Sequence, residues 1–285
     1  MNNILTKIIK MMTICIVATL ALSFGVFYND VRNSRTVTGE EDSLTGQRIG
    51  VMCGWEADYF LSERDDITIK RYNQMADLFM ALNYKQVDAI AVDTIINSYC
   101  GKSISNIKIV GDSLDSYYYT FYMQKGNEIG KQMNEFIEFY TKTDEYKEYA
   151  EKAVNIEWID SDDYTPETGT GDVVKFGYVA DFYPNVFVDA NGNPRGPEVE
   201  FLIRFANYYN YKIEWIEVPS SAYDLGVRNG KADLVSCASA DYYRQDINYE
   251  GSVIDLTEGF LKSDLCLVVP DGDMKIDNGF VFDTN

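Results

Sequence analysis

Two stretches of this sequence, 45–154 and 173–270, each alternate short apolar runs with amphipathic helical patterns, and no other feature limits the fold as strongly. Apolar runs that feed helices and are then followed by further apolar runs describe an α/β sheet architecture. In the first stretch RIGVMC, ITIKRY, VDAIAVD, IKIVG and YYYTFYMQ read as strands. GWEADYFL and NQMADLFMALNY read as helices, the second with Met75, Leu78, Phe79 and Leu82 at helical spacing, and IGKQMNEFIEFYTKTDEYKEYAEKAV closes the stretch as a helical run. In the second stretch VVKFGYVA, YKIEWIEV, ADLVSCAS and FLKSDLCLVVP read as strands. PEVEFLIRFANYYN is a helix with Val199, Leu202, Ile203 and Ala206 on its apolar stripe, and Pro197 suits its first turn. DFYPNVFVDANGNPRG is a turn-rich loop and AYDLGVRNG a short helix.

The segment 155–172, with its run DSDDYTPETGTGD, has the composition of a linker, and 271–285 reads as a tail. The two stretches echo each other. ALNYKQVDAIAVD and GVRNGKADLVSCAS share a helix end, a turn, a lysine, an aspartate and a buried strand. Asp88 and Asp233 in these runs read as structural turn residues. One weak repeat of this kind suits two related lobes around a cleft better than a solenoid.

The chain contains no histidine, which removes Ser-His and Cys-His catalysis and histidine-based metal sites. Cys15, Cys53, Cys100, Cys237 and Cys266 include no C-x-x-C pair, so neither a zinc ribbon nor a thioredoxin-like reading has support. Buried free thiols and extracellular disulfides both remain open for the last four. A formal charge of −20 argues against nucleic acid and anionic lipid as partners, since both require a basic footprint. The 22 tyrosines suit a cleft or surface that is apolar at one end of the ring and wet at the other. No cofactor or metal is implied.

Lys7 and Lys10 precede an uncharged apolar run from Met11 to Tyr28, at the border between a long signal sequence and a short transmembrane helix. Ala21-Leu22-Ser23 is a candidate cleavage site, but the apolar run continues past it. The reading favoured is an uncleaved anchor over 1–28, followed by a polar linker over 29–44, with the bulk of the chain outside the cell membrane. No lipoprotein box precedes Cys15.

At the level of motifs the chain resembles the family 3 solute-binding proteins, whose fold is the two-lobed type II periplasmic (Venus-flytrap) fold. LTGQRIGVMCGWEADYFL resembles that family's second-lobe opening, "GKxIGV" then "GTTxE". VDAIAVDTIINSY resembles "DAVxxDxxxxxY", and YYYTFYMQKGNEIGKQMNEFIEFY the returning strand, "KGN" turn and helices. VVKFGYVADFYPNVFVDANGNPRGPEVEFLIRFANYY resembles the first-lobe opening, and GKADLVSCASADYYR resembles "GKxDxxxxxxSxTxxR". The resemblance covers most of 45–270 in reversed lobe order, which fits either a permuted single flytrap or a piece of a tandem anchored receptor.

The resemblance implies an amino-acid-like ligand and a set of site residues. A zwitterion needs each charge paired before it leaves water. Arg244 matches the arginine that clamps the carboxylate with a bidentate fork, and Ser239 the motif's serine. Asp241 stands where the family has threonine, and an acid beside the clamp favours a basic ligand, or none. Asp93 matches the aspartate that receives the ammonium, and it also suits a helix N-cap before Thr94. Asp181, Phe182 and Tyr183 lie on the first-lobe aromatic loop. Trp55 and Glu56 replace the family's small hydroxyl residues, and Trp55 narrows the cleft.

The implied function is extracytoplasmic binding of a small amino-acid-like solute, as a transport receptor working with a permease or as the sensory input to a downstream signalling domain. It is not that of an enzyme. The alternatives are a degenerate lobe pair engaged only in protein contacts and, with Glu56 near Arg244, a dehydratase-like enzyme on the same fold.

Overall fold

The computed structural model describes residues 36–159, 164–180, 182–219, 223–239 and 251–277, with the backbone alone at 41, 42 and 237–239, and isolated helical positions at Thr13, Ile16, Ala18 and Thr19. The elements are α1 (Glu41–Leu44), β1 (Arg48–Met52), α2 (Glu56–Ser62), β2 (Thr68–Tyr72), α3 (Met75–Asn83), β3 (Ala89–Asp93), α4 (Thr94–Gly101), β4 (Ile104–Gln124), α5 (Glu128–Tyr140) and α6 (Asp144–Val154). Then follow β5 (Val173–Tyr178), β6 (Phe187–Val188), β7 (Pro194–Arg195), α7 (Pro197–Tyr208), β8 (Lys212–Glu217), α8 (Tyr223–Arg228), β9 (Leu234–Ser239), β10 (Ile254–Leu256) and β11 (Leu261–Ile276). The anchor expected over 11–28 lies outside the described residues apart from those four positions. Among the described residues, no helix is long and apolar enough to cross a membrane.

Strands from both stretches hydrogen-bond into one sheet, in the order β2-β1-β3-β11-β4-β9-β5-β8, with β10 beside β4. β1, β2 and β3 are parallel to one another, as are β5, β8 and β9. β11 is antiparallel to both β3 and β4, and β4 is antiparallel to β9. The two parallel sets therefore run in opposite directions, and the register shows which ends meet. Asp93, the last residue of β3, lies opposite Leu265, which lies opposite Asp115 of β4. Ser239, the last residue of β9, lies opposite Tyr119 of β4. The carboxyl edges of the two sets converge on residues 115–119.

The run GDSLDS reads as a break between two strands, yet β4 passes through it. Pairing with β11 advances from Asp115↔Leu265 to Val110↔Leu267, so residues 111–114 bulge from the ladder without ending it. Gly111 has φ +71°, and a β-carbon there would sit 2.5 Å from the Cα of Gly39. Only glycine fits that close approach of two backbones. β11 likewise continues past Pro270 into the expected tail, through a second register shift between Pro270 and Lys275. The run after the KGN turn divides into α5 and α6, because Thr143 leaves the helix and its Oγ1 accepts the N–H of Tyr146 at 3.1 Å.

The echo between the stretches has a physical cause. Asp88 accepts the N–H of Arg48 at 2.8 Å and donates its own N–H to the Arg48 carbonyl. Asp233 does the same with Lys175, at 2.9 Å for the carboxylate bond. In each set this aspartate ties the entrance of the third strand to the first.

Every residue of β3 is buried. Phe79, Leu82, Ile90 and Val92 belong to one apolar cluster, while Ile49, Val51, Ala89 and Ala91 belong to another with Leu61. The largest cluster joins the two stretches: α5 and α6 pack on α7 through aromatic rings. Phe201 of α7 is fully buried, with ring centroids 5.5 Å from Phe136, 5.5 Å from Tyr149 and 4.5 Å from Phe260. Tyr149 donates its hydroxyl to the Pro197 carbonyl at 3.0 Å.

Phe201→Ala leaves a cavity where helices from both stretches meet. Urea unfolding is expected to show a loss of about 3–5 kcal/mol. A loss below about 1 kcal/mol would mean that α5 and α6 do not depend on this contact.

Candidate functional site

The expected site residues follow the carboxyl ends of strands, and the converging edges bring several of them together. At the end of β1 the chain turns at Gly54, whose φ is +74°, a left-handed conformation natural to glycine. The Gly54 N–H donates to Asp58 Oδ2 at 3.0 Å, and Arg71 Nε donates to Asp58 Oδ1 at 2.8 Å. Burial opposes ionisation of Asp58, but these donors hold its carboxyl below the ordinary range. The turn so braced presents Trp55 and Glu56 at the start of α2.

Asp93 ends β3 and caps α4, its Oδ1 accepting the Ile96 N–H at 2.8 Å. Its Oδ2 accepts the hydroxyls of Tyr117 at 3.0 Å and Tyr119 at 3.3 Å. Both tyrosines lie on β4 where the carboxyl edges meet, with their ring centroids 5.6 Å apart. Asp93 is only 5% exposed, and burial raises its carboxyl above the usual aspartate range against the pull of these donors. Burial first, then the charge of Asp93, puts the Tyr117 and Tyr119 hydroxyls well above their ordinary range; Glu56 acts in the same direction. Both therefore remain neutral donors.

Trp55, Glu56 and Asp93 line one cleft with Met52, Ile96 and Tyr117, joined by Ala57, Ala91, Val92 and Leu265. Its enclosed space is about 10 Å3, what roughly one water molecule needs, so in this conformation the side chains nearly fill it. Across the sheet, the loop after β5 brings up two aromatic partners. The Phe182 ring lies 6.1 Å from Trp55, and the Tyr183 ring lies 5.5 Å from Tyr99 of α4. Asn185 of the same loop is buried beside Tyr119, with its side-chain amide outside hydrogen-bond geometry.

Ser239 reaches the site in backbone only, opposite Tyr119. Arg244, Asp241 and Asp181 lie outside the described residues. Sequence reading missed Tyr117, Tyr119, Tyr99 and Asn185. For the first two a signal was present: YYYTFY places two tyrosines on one face of a buried strand, and buried phenols need acceptors. Cys100 and Cys266 are free and buried, and Cys53 is free and exposed.

Residues 174–261 match the model of the bacterial extracellular solute-binding proteins, family 3. The fold is α/β and like that of the type II periplasmic binding proteins. Among solved structures, the chain is similar to the probable amino-acid ABC transporter extracellular-binding protein ytmK from Bacillus subtilis, with 7% identity, TM-score 0.45 and coverage of 81% of this chain and 86% of that one. It is similar to the B. pertussis BvgS periplasmic domain at 12% identity and TM-score 0.40, covering 79% of this chain and only 37% of that one. The ligand-binding component of an ABC-type import system from Staphylococcus aureus gives 14% identity and TM-score 0.40, covering 80% of this chain and 66% of that one. No curated protein matches the sequence.

The Asp93 network predicts a pH signature. Because its folded pKa is raised, Asp93 favours the folded state fully below its unfolded value of about 4, and this contribution is lost as pH rises through the folded value. Asn mimics the protonated carboxyl, so the melting temperature of Asp93→Asn relative to the parent should climb as pH rises from about 4 to 8. Asp93→Ala, which removes a cap and strands two buried hydroxyls, should cost about 2–5 kcal/mol near pH 4, and the cost should shrink as pH rises through the folded value. A pH-independent difference for Asp93→Asn would refute the burial argument.

Proposed function

We propose that this chain, a family 3 solute-binding segment over 174–261, is the extracytoplasmic binding unit for a small amino-acid-like solute. The observation that carries the reading is the convergence of the carboxyl edges of two oppositely running parallel strand sets on residues 115–119 of β4, beside a small cleft lined by Trp55, Glu56, Asp93 and Tyr117. Open α/β sheets bind ligands beyond the carboxyl ends of their strands, where side chains from several loops converge. The unit serves either a transport system, with a permease as partner, or a signalling receptor as its sensory input. The reading treats 45–154 and 173–270 as second and first lobes in permuted order, held at the membrane by the run 11–28. It assigns no catalysis.

In this proposal Arg244, with Ser239, clamps the solute's carboxylate, while Trp55, Phe182 and Tyr183 form the aromatic wall. Glu56, Asp93, Asp181 and Asp241 supply the acidic side of the site. A second reading, a lobe pair that binds no solute and makes only protein contacts, draws on the Trp55–Phe182 ring contact and on the three hydrogen bonds already held by Asp93.

A thermal-shift screen over amino acids and small peptides tests the first reading against the second. With a solute in hand, Arg244→Ala should lose about 2–5 kcal/mol of binding by calorimetry, chiefly through faster dissociation. Arg244→Lys should recover only part, since a point charge cannot reproduce the guanidinium fork. Unchanged affinity in Arg244→Ala would remove the clamp, and no shift with any solute would favour the second reading.

A further inference from the structure

We propose that residues 36–40 form a clasp on the β4 bulge and that its docking is coupled to the cleft, so that the segment leading into the domain and the site respond to each other. This coupling does not depend on what the site binds.

The run 29–44 reads as a polar linker, yet its end is packed. Val37 and Leu44 are buried, and both belong to the apolar cluster of Ile49, Val51 and Leu61. Between these two pegs the chain folds on itself. The Thr38 N–H donates to Ser43 Oγ at 3.2 Å, and Ser43 Oγ donates to the Glu40 carbonyl at 2.6 Å. Gly39, with φ +88°, lies against Gly111 of the bulge, and a β-carbon on either residue would collide with the backbone of the other. Packing stands in for the ladder at this point. Residues 111–114 bulge from the pairing with β11, and Val110 and Leu114 rest on the same cluster as Val37.

From the bulge to the cleft is a short step along β4. Asp115 rejoins the ladder opposite Leu265, Ser116 Oγ donates to Asp264 Oδ1 at 2.6 Å, and Tyr117 donates to Asp93. Three further members of the cluster, Ala57, Ala91 and Leu265, line the cleft itself. One apolar cluster thus contains both the peg of the clasp and part of the cleft wall. Close-packed side chains transmit displacement, because a shift on one side opens voids on the next. Undocking the clasp frees the bulge, and a freed bulge loosens the strand that aims Tyr117 and Tyr119. By linkage, a change at the cleft alters the docking of the clasp by the same free energy.

Amide exchange of the full chain, read by mass spectrometry with β5 as internal reference, tests the coupling. Gly39→Ala pushes the clasp off the bulge, and Val37→Ser removes its peg. Relative to β5, each is expected to speed exchange over 36–40 by at least about tenfold, and over 93–97 and 111–119 by at least about threefold. In the reverse direction Tyr117→Phe, which removes one donor from Asp93, should speed exchange over 36–40 by at least about twofold. Unchanged exchange over 36–40 in both Gly39→Ala and Val37→Ser overturns the clasp. Faster exchange there with 111–119 unchanged, or no response of 36–40 to Tyr117→Phe, overturns the coupling. An equal rise in every element, β5 included, overturns it too, since that reports a uniform loss of stability.

Discussion

The antiparallel pairing of β4 with β11 is the constraint on which the remaining geometry depends. Their ladder runs from Leu261↔Tyr119 to Ile276↔Ile104, interrupted by two bulges. Each strand also serves a second neighbour from the other stretch: β11 pairs β3 through Leu265–Val268, and β4 pairs β9 toward its carboxyl end. Two parallel strand sets that could only turn their backs on each other as separate sheets are thereby fixed head to head. Backbone hydrogen bonds set this register, so the distance between the carboxyl edges is counted in residues of β4 and leaves room for little more than a few side chains. The bulge at 111–114 lies immediately before that zone, where an interrupted ladder increases twist and re-aims the following side chains, Tyr117 and Tyr119 among them.

Asp93 shows how the shared frame becomes chemistry. A carboxylate buried this deeply is costly unless it is hydrogen-bonded, and three donors reach it from two elements. The cap ties it to α4, and the tyrosines tie it to β4, so the cleft wall is rigid where strand edge, helix start and crossing strand meet. This arrangement also explains the tyrosine-rich run on β4. Phenylalanine would fill the same space and leave Asp93 Oδ2 without these two donors, while tyrosine fills it and donates. The aromatic contacts on the far side, Trp55 with Phe182 and Tyr99 with Tyr183, then meet a surface that does not yield.

Much of this was legible in the residues. The strand and helix alternation, the apolar stripe of α7 and the burial of β3 follow from periodicity alone, because each reflects a local period matched to one buried face. Trp55, Glu56, Asp93 and Phe182 were singled out by the motif resemblance, and in the structure the first three line one small cleft while the Phe182 ring lies beside Trp55. The continuity of β4 was not legible. GDSLDS has the composition of a turn, and only its long-range pairing with β11 keeps it in the sheet. The same holds for residues beyond Pro270. Tertiary hydrogen bonding overrode local propensity in both places. Tyr117 and Tyr119 were visible as strand residues, but their partner lies 24 and 26 positions earlier, and no local pattern announces a contact across that distance.

The reciprocal bonds of Asp88 with Arg48 and of Asp233 with Lys175 carry the argument one step further. They occupy the same place in the two strand sets, between the first and third strands, and the third strands end at Asp93, which lines the cleft, and at Ser239, which pairs with Tyr119 of β4. The chain thus holds two copies of one strand–helix unit, facing each other across residues 115–119 of β4. β4 carries the backbone from the first copy into the second, and β11 carries it back. With one strand crossing in each direction, the two sets share one sheet, and the buried aspartate and its tyrosine donors stand where the carboxyl edges meet.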